Sequence, residues 1–386
     1  MPAEPRRTAS EWWNATAIVL EDLARRVPLS SIAAFAVDGT SGTLVAVDEV
    51  LAPVAPPSMY NERCKLETLA RIEASAPPAS AALGATSALG RAIELQAARP
   101  YRILHQADWI GALLAGRIGP SDENNALKTG YDAVTQRWPH WLATAGLDMS
   151  LLPEVVPAGC IIGAEPMSAV ARSLGFAPGT IWVAGTTDGC AAFLATGAEQ
   201  PGEGVTSLGS TLVLKLLSDR PVFAPHYGIY SHRLGNMWLA GGASNSGGAV
   251  LLQHFTPERM RELEPSIAAD RDSGLDYYPL AGKGERFPVN DPSMASRVQP
   301  VPMDDVVFLQ GLLEGIANVE ALGYRRLAEA GAPKLVSLRT AGGGAANTAW
   351  TDIRHRKLAV PFLPAFSEAA AAGTARLALN ALGAAR

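Results

Sequence analysis

Apolar residues return at helical spacing between Ser10 and Arg26, where Trp13, Ala17, Leu20 and Ala24 share one stripe and Ser10 is placed to cap the helix. Residues 31–37 then read as a β-like run that turns at Asp38-Gly-Thr-Ser41-Gly-Thr43 into a second run, 44–47, and the two together predict a hairpin. Prolines between 53 and 57 exclude a central strand there, and the small, proline-containing stretch 74–85 reads as a connector. An amphipathic helix follows over 105–114, ending near Gly116. Residues 181–193 form an apolar run, a Gly/Thr turn carrying Asp188, and a helix-like stretch; 205–217 are two β-like runs joined at Gly209-Ser210-Thr211. A strand from Trp238 feeds the Gly/Ser loop 241–248 and a short helix through Leu252. The longest helical pattern runs from Asp304 to Ala330, with Leu309, Leu313, Ile316, Val319 and Leu322 on its buried stripe and Asp304 or Asp305 as its cap. Last come a strand at 335–340, the glycines 342–344, a helix from about Thr348 and an alanine-rich helix over 368–382.

Strands that alternate with helices in this way predict an α/β chain, and 386 residues with 48% hydrophobic content suffice for a buried core and suggest two domains. A formal charge of −5 argues against a broad basic surface for nucleic acid or acidic lipid, so any phosphorylated ligand must be held locally. Cys64, Cys160 and Cys190 are widely spaced and form no C-x-x-C pair, which points to neither a disulfide framework nor a zinc site and fits a reduced cytoplasm. No run of eighteen uninterrupted apolar residues is present, so neither export nor a membrane span is expected.

Candidate chemistry gathers at the turns. Asp188 follows a strand and opens a helix, where open α/β sheets place reacting groups; an acid in the first turn of a helix also simply complements the macrodipole. Gly209-Ser210-Thr211 offers backbone N–H groups and hydroxyls suited to phosphate, or is an ordinary tight turn. The glycines at 342–344 lie between a strand and a helix start, a ready site for an anion or nucleotide, or a loop packed against a neighbouring helix. Asn245 is left open between loop architecture and ligand contact. None of the six histidines has metal-ligand spacing, and the basic run 354–357 reads as a solvated helix face, as do His232 and Arg233. Neither a P-loop nor a G-x-G-x-x-G fingerprint is present.

Taken in order, Asp38-Gly-Thr-Ser-Gly-Thr43, Gln106-Ala-Asp-Trp109, Asn124-Asn-Ala-Leu-Lys-Thr-Gly-Tyr131, Gly185-Thr-Thr-Asp-Gly189, the 206–215 hairpin, Gly241-Gly-Ala-Ser-Asn245, residues 275–280, Gly284-Glu-Arg-Phe-Pro288 and Thr340-Ala-Gly-Gly-Gly-Ala345 resemble the FGGY carbohydrate kinases. The likeness is greatest to the small ribulokinase- and xylulokinase-like group of cyanobacteria and plants and covers nearly the whole chain from about Trp13. It implies two ribonuclease H-like (actin-like ATPase) domains around a cleft: a sugar-binding domain over 1–195 plus 366–386 and a nucleotide-binding domain over 196–365. The implied reaction is ATP-dependent phosphorylation of a ketopentose, D-ribulose or D-xylulose, with ATP and Mg2+, in the cytoplasm, by a monomer or weak homodimer without nucleic-acid or membrane partners. Asp188 matches the general base and also touches the sugar, Ser41 matches a sugar contact, Gly209, Ser210 and Thr211 match a phosphate-binding hairpin, and Gly343, Gly344, Asn347 and Trp350 match the adenosine pocket. No residue is assigned to a protein-held metal.

One departure stands out. Members of the family begin with a strand and hairpin bearing a first phosphate motif, D-x-G-T-S, whereas Asp38-Gly-Thr-Ser41 here matches the later, sugar-side turn. The expectation is therefore a first domain lacking its initial strands, with edges and apolar faces uncovered. The alternative function is an N-terminally truncated, catalytically impaired kinase that only binds sugar or nucleotide.

Overall fold

The computed structural model describes residues 8–384, so residues 1–7, a polar lead-in by sequence, lie outside it. The backbone clusters into two compact units. The first takes the described residues up to Ala195, His232–Gly235 and those from Ala369 on; the second takes Thr196–Ser231 and Asn236–Glu368.

In the first unit, helix α1 (Ala9–Ala24) is capped by Thr8 rather than Ser10. Thr8 is extended, its hydroxyl accepts the Glu11 N–H, and the Glu11 carboxylate accepts the Thr8 N–H, the reciprocal pair that a Thr followed three residues later by Glu makes possible. The hairpin expected between 31 and 47 does not form. Strand β1 (Ala34–Phe35) pairs in parallel with β8 (Thr180–Val183), β2 (Asp38–Gly39) pairs in parallel with β9 (Thr186–Thr187), and β3 (Leu44–Val47) pairs antiparallel with β4 (Arg102–His105). All four residues of β3 are buried, so the segment is an interior strand seeking a distant partner, not one arm of a solvent-faced ribbon.

The remaining strands of this unit are β5 (Ser121–Asp122), paired with β6 (Val155–Val156), and β7 (Ile161–Glu165), antiparallel to β8. Its other helices are α2 (Leu66–Ser75), α3 (Ala88–Leu95), α4 (Gln106–Ala115), α5 (Glu123–Ala126), α6 (Trp141–Thr144), α7 (Ala169–Ser173) and α8 (Asp188–Ala195). Trp182 organises the core: its ring stacks on Phe35 at 5.9 Å between centroids, and Gly111 and Gly119 leave room for it, since a Cβ on either would fall 2.6 and 2.5 Å from its atoms. The alanine-rich C-terminal helix, Ala370–Ala384, lies against α8 so closely that a Cβ on Gly373 would sit 1.9 Å from the Ala191 carbonyl oxygen.

The second unit is built on a sheet in the order β13 (Met237–Ser244), β11 (Leu212–Ser218), β10 (Glu203–Leu208), β14 (Ser337–Ala341); strand β12 (Tyr230–Leu234) begins in this unit and ends in the first. The β10–β11 hairpin is antiparallel, as the sequence predicts, and β14 adds to β10 in parallel. Helices α9 (Gly248–His254), α10 (Pro257–Leu263), α11 (Asp305–Glu329) and α12 (Thr348–Leu358) complete the unit, and the C-terminal helix of the first unit is α13. Asp304 caps α11, its carboxylate accepting the Val306 N–H at 2.8 Å. Leu309, Leu313, Ile316 and Val319 are buried as the stripe requires, while Leu322 is only half-buried; its neighbour Gly323 brings the helix onto Leu214 and Phe287 instead. By length and composition α11 could cross a membrane, but 72% of its apolar window is buried within the protein, the pattern of a core helix.

Two surface assignments are corrected. Arg354 in the basic run is fully buried against Glu320, and His232 is buried as well, so neither belongs to a solvated face. A charge run signals exposure only while its partners remain unknown.

Candidate active site

In the first unit two turns emerge side by side. Because β2 and β9 are parallel neighbours, with Asp38 opposite Thr186 and Gly39 opposite Thr187, the turn carrying Ser41 and the turn carrying Asp188 leave from the same, carboxyl, end of adjacent strands. Glycines allow the approach. A Cβ on Gly39 would stand 2.9 Å from the Ala107 nitrogen, and one on Gly185 would collide with the Val37 carbonyl at 1.8 Å. Asp188 opens α8 and is solvent-exposed, with Oδ1 accepting the Gly189 N–H at 2.6 Å, so the helix-capping role and an available second oxygen coexist.

The neighbouring residues hold these turns. Gln106 Oε1 accepts the Thr40 N–H at 3.0 Å, and Asn124 donates to Thr186 Oγ1 at 3.0 Å and to the Arg233 carbonyl at 2.9 Å. Arg91, only 3% exposed, donates to the Gly42 carbonyl at 2.6 Å and to Ser58; burial lowers its pKa to about 10. Sequence reasoning passed over Arg91, although a lone arginine within the apolar stretch 88–95 was a visible signal. Ser41 Oγ is enclosed and has no protein partner, a hydroxyl left for something else to bind.

Acids crowd this region. Burial raises the pKa of Asp38; the Thr374 hydroxyl opposes the shift and the charge of Asp188 adds to it. Residues 121–125, polar in sequence, are buried. Burial, reinforced by the charge of Asp108, raises Asp122 to about 6. Glu123, whose two carboxyl oxygens lack protein partners, is raised by burial to about 7.

The second unit holds a cavity of about 670 Å³. Its walls bring together Gly209 and Ser210 from the β10–β11 tip, Gly343 and Gly344 from the loop after β14, and Asn347 and Trp350 from the start of α12, joined by Leu251, Met260, Arg261 and Glu264 among others. Six of the residues singled out in sequence thus meet in one place. Thr211 lies just behind the tip, its carbonyl accepting the Gly209 N–H at 3.2 Å.

Close backbone packing shapes this cavity. The first residues of α9 clamp the hairpin tip, with the Gly248 N–H donating to Gly209 O at 2.9 Å and the Ala249 N–H to Ser210 O at 3.0 Å. Gly342 has φ +90°, and a Cβ on Gly344 would stand 2.7 Å from both Leu208 Cβ and Trp350 Cζ3. Asn347 caps α12 by accepting the Trp350 N–H at 2.7 Å. Glu264 adds a second cap, accepting the Thr348 N–H at 2.6 Å and its hydroxyl at 2.9 Å, so a protein carboxylate already occupies the anion-seeking end of that helix. The open N–H groups for an anionic ligand therefore belong to the tip and the glycine loop, not to α12. Asn245 is committed to loop architecture: its N–H donates to Glu285, its amide to Gly284 O, and its oxygen accepts from Arg286.

Residues 204–382 match the C-terminal domain of the FGGY family of carbohydrate kinases. Over 96% of this chain and 79% of the relative, the sequence is 27% identical to a xylulose kinase of Streptomyces coelicolor; over 57% of this chain and 47% of the relative, it is 25% identical to a gluconokinase of Bacillus licheniformis. Among solved structures, a xyloylose kinase from Brucella ovis superposes with a TM-score of 0.88 over 100% of this chain and 84% of that one, at 23% identity. A ligand-bound xylulose kinase from Lactobacillus acidophilus gives 0.84 over 100% and 83%, at 17% identity. At these identities the structural likeness is one of fold: mixed α/β, that of sugar kinases with two actin-like ATPase domains.

Proposed function

We propose that the chain is a carbohydrate kinase of the FGGY family, whose C-terminal domain residues 204–382 match, and that it phosphorylates a ketopentose, D-xylulose or D-ribulose, with ATP. The observation that carries this reading is the cavity of the second unit, where backbone from the hairpin tip and the glycine loop converges on the start of α12. Apolar Leu251, Met260 and Trp350 suit the flat faces of adenine, and the N–H groups of Ser210 and Gly343 suit phosphate oxygens. Glu264, already bound to Thr348, keeps the α12 end for the uncharged part of the nucleotide.

In the first unit Asp188 is the general base. Phosphoryl transfer through a loose transition state asks little of a base beyond accepting the hydroxyl proton as the bond to phosphorus forms, and an exposed carboxylate with one free oxygen suffices. Ser41, with its unpartnered hydroxyl, contributes a sugar contact held in place by Gln106 and Arg91. Among the described residues no group of three His, Cys, Asp or Glu side chains is arranged to hold a metal ion. In this reading Mg2+ bound with the nucleotide would supply charge neutralisation at the phosphates.

Calorimetric titration with ATP tests the cavity. Gly344→Val forces a branched side chain into space already filled by Leu208 and Trp350 and is expected to weaken ATP binding by roughly tenfold to a hundredfold, in line with the cost of overpacking. Undiminished affinity in the folded variant would move the nucleotide elsewhere.

A further inference from the structure

Arg354 is fully buried, yet it lines no part of the cavity. Its guanidinium makes two parallel hydrogen bonds to Glu320 on α11, Nε to Oε2 at 2.7 Å and Nη2 to Oε1 at 2.8 Å. The remaining nitrogen, Nη1, donates to Thr340 Oγ1 at 3.0 Å, and the guanidinium lies over the Phe362 ring at 5.1 Å. Taking two such charges out of water is costly, and apolar residues of similar volume often give equal or greater stability. Stability alone is therefore a poor account of the pair, which points instead to what it holds in place.

It holds three of the segments that build the cavity. Thr340 stands on β14 two residues before Gly342, where the glycine loop begins. Across the ladder its partner is Thr206 on β10, the strand that runs on to Gly209 and Ser210. The Thr206 hydroxyl is 2.9 Å from that of Tyr324, one turn beyond Glu320 on α11. Arg354 itself belongs to α12, whose first turn carries Trp350 and is capped by Asn347. Strand β10, strand β14 and helix α12 thus converge on one polar clamp mounted on α11.

We infer that Glu320, Tyr324, Thr340 and Arg354 are positioning residues for nucleotide binding: they fix the glycine loop in register with the hairpin tip and the start of α12 without touching the ligand. The inference rests on the reading of that cavity as the nucleotide site.

Two variants test it. Thr340→Val keeps the volume and removes only the third hydrogen bond of Arg354; Glu320→Leu with Arg354→Met replaces the pair by apolar side chains and leaves no stranded charge. Both are expected to melt cooperatively and to raise the calorimetric Kd and the KM for ATP by roughly three- to tenfold, the range of coupling seen along such networks. KM for the sugar should not move, a split that a loss of folding alone would not produce. Wild-type ATP affinity in these variants would reduce the clamp to a structural feature; should the double variant fail to fold, Thr340→Val alone decides. Gly344→Val run alongside separates the two claims. If it too leaves ATP affinity intact, the cavity reading falls; if it weakens binding while the clamp variants do not, only the positioning inference falls.

Discussion

The two candidate sites are built differently. The first unit hangs its turns on β2 and β9, strands of 2 residues each, and surrounds them with buried polar groups, some unpartnered and several with displaced pKa values. The second hangs its loops on β10, β11 and β14, strands of 6, 7 and 5 residues in one sheet, and pairs the polar side chains around the cavity: Asn347 and Glu264 at the helix start, Arg354 with Glu320 beneath. Holding a common ligand through backbone and shape tolerates a largely paired frame, in which the buried Trp350 Nε1 is an exception. Reacting with a particular hydroxyl requires oxygen atoms with capacity to spare, and local disagreement between polarity and burial is where such function shows itself.

That contrast is sharpened most strongly by removing the proposed base. Asp188→Asn should lower kcat by about 10²–10⁴-fold while calorimetric ATP affinity holds, because the cavity belongs to the other unit; an unchanged kcat would strip Asp188 of its role. Next in size is the frame of the second unit. Phe287 is fully buried and sits where Gly242 and Gly323 leave room for it, so Phe287→Ala should cost about 3–5 kcal/mol, read as a shift in the denaturant midpoint. A loss below 1 kcal/mol would mean that the core around α11 is not rigid.

A smaller effect, of opposite sign, is expected in the first unit. The Glu123 pKa is raised in the folded protein from 4.5 to about 7, so the stability attached to its protonated form is present below pH 4.5 and disappears as pH climbs through 7. Glu123→Gln should accordingly stabilise the protein at pH 8 by up to ~3 kcal/mol, with the advantage vanishing near pH 4; melting curves across that range check it, and a pH-independent difference would contradict it. Smallest is Ser41→Ala, which removes one neutral hydroxyl contact and should raise KM for the sugar by about two- to tenfold while leaving KM for ATP unchanged.

Legibility in the sequence followed the range of the interactions. The 205–217 hairpin and α11 were readable because period and turn chemistry are local, and the glycines 342–344 because a strand and a helix start bracket them. Strands β1, β2 and β3 were misread as a hairpin because the partners of Ala34 and Asp38, namely Ile181 and Thr186, lie far along the chain and leave no local mark. The cap of α1 shifted from Ser10 to Thr8 because the reciprocal Glu11 bond, not proximity to the apolar stripe, decides it. Arg354 was misassigned to solvent because its partner Glu320 sits on another helix, and burial of Asp122, Glu123 and Asn124 likewise depends on elements remote in sequence.

The central claim is that the chain transfers phosphate to a ketopentose, and the most direct measurement is the initial rate of ADP release from MgATP with D-xylulose, D-ribulose and, as a comparison acid, D-gluconate. The account predicts release that depends on one of the two ketopentoses and exceeds that with gluconate. ATP binding with no sugar-dependent release from either ketopentose would contradict it.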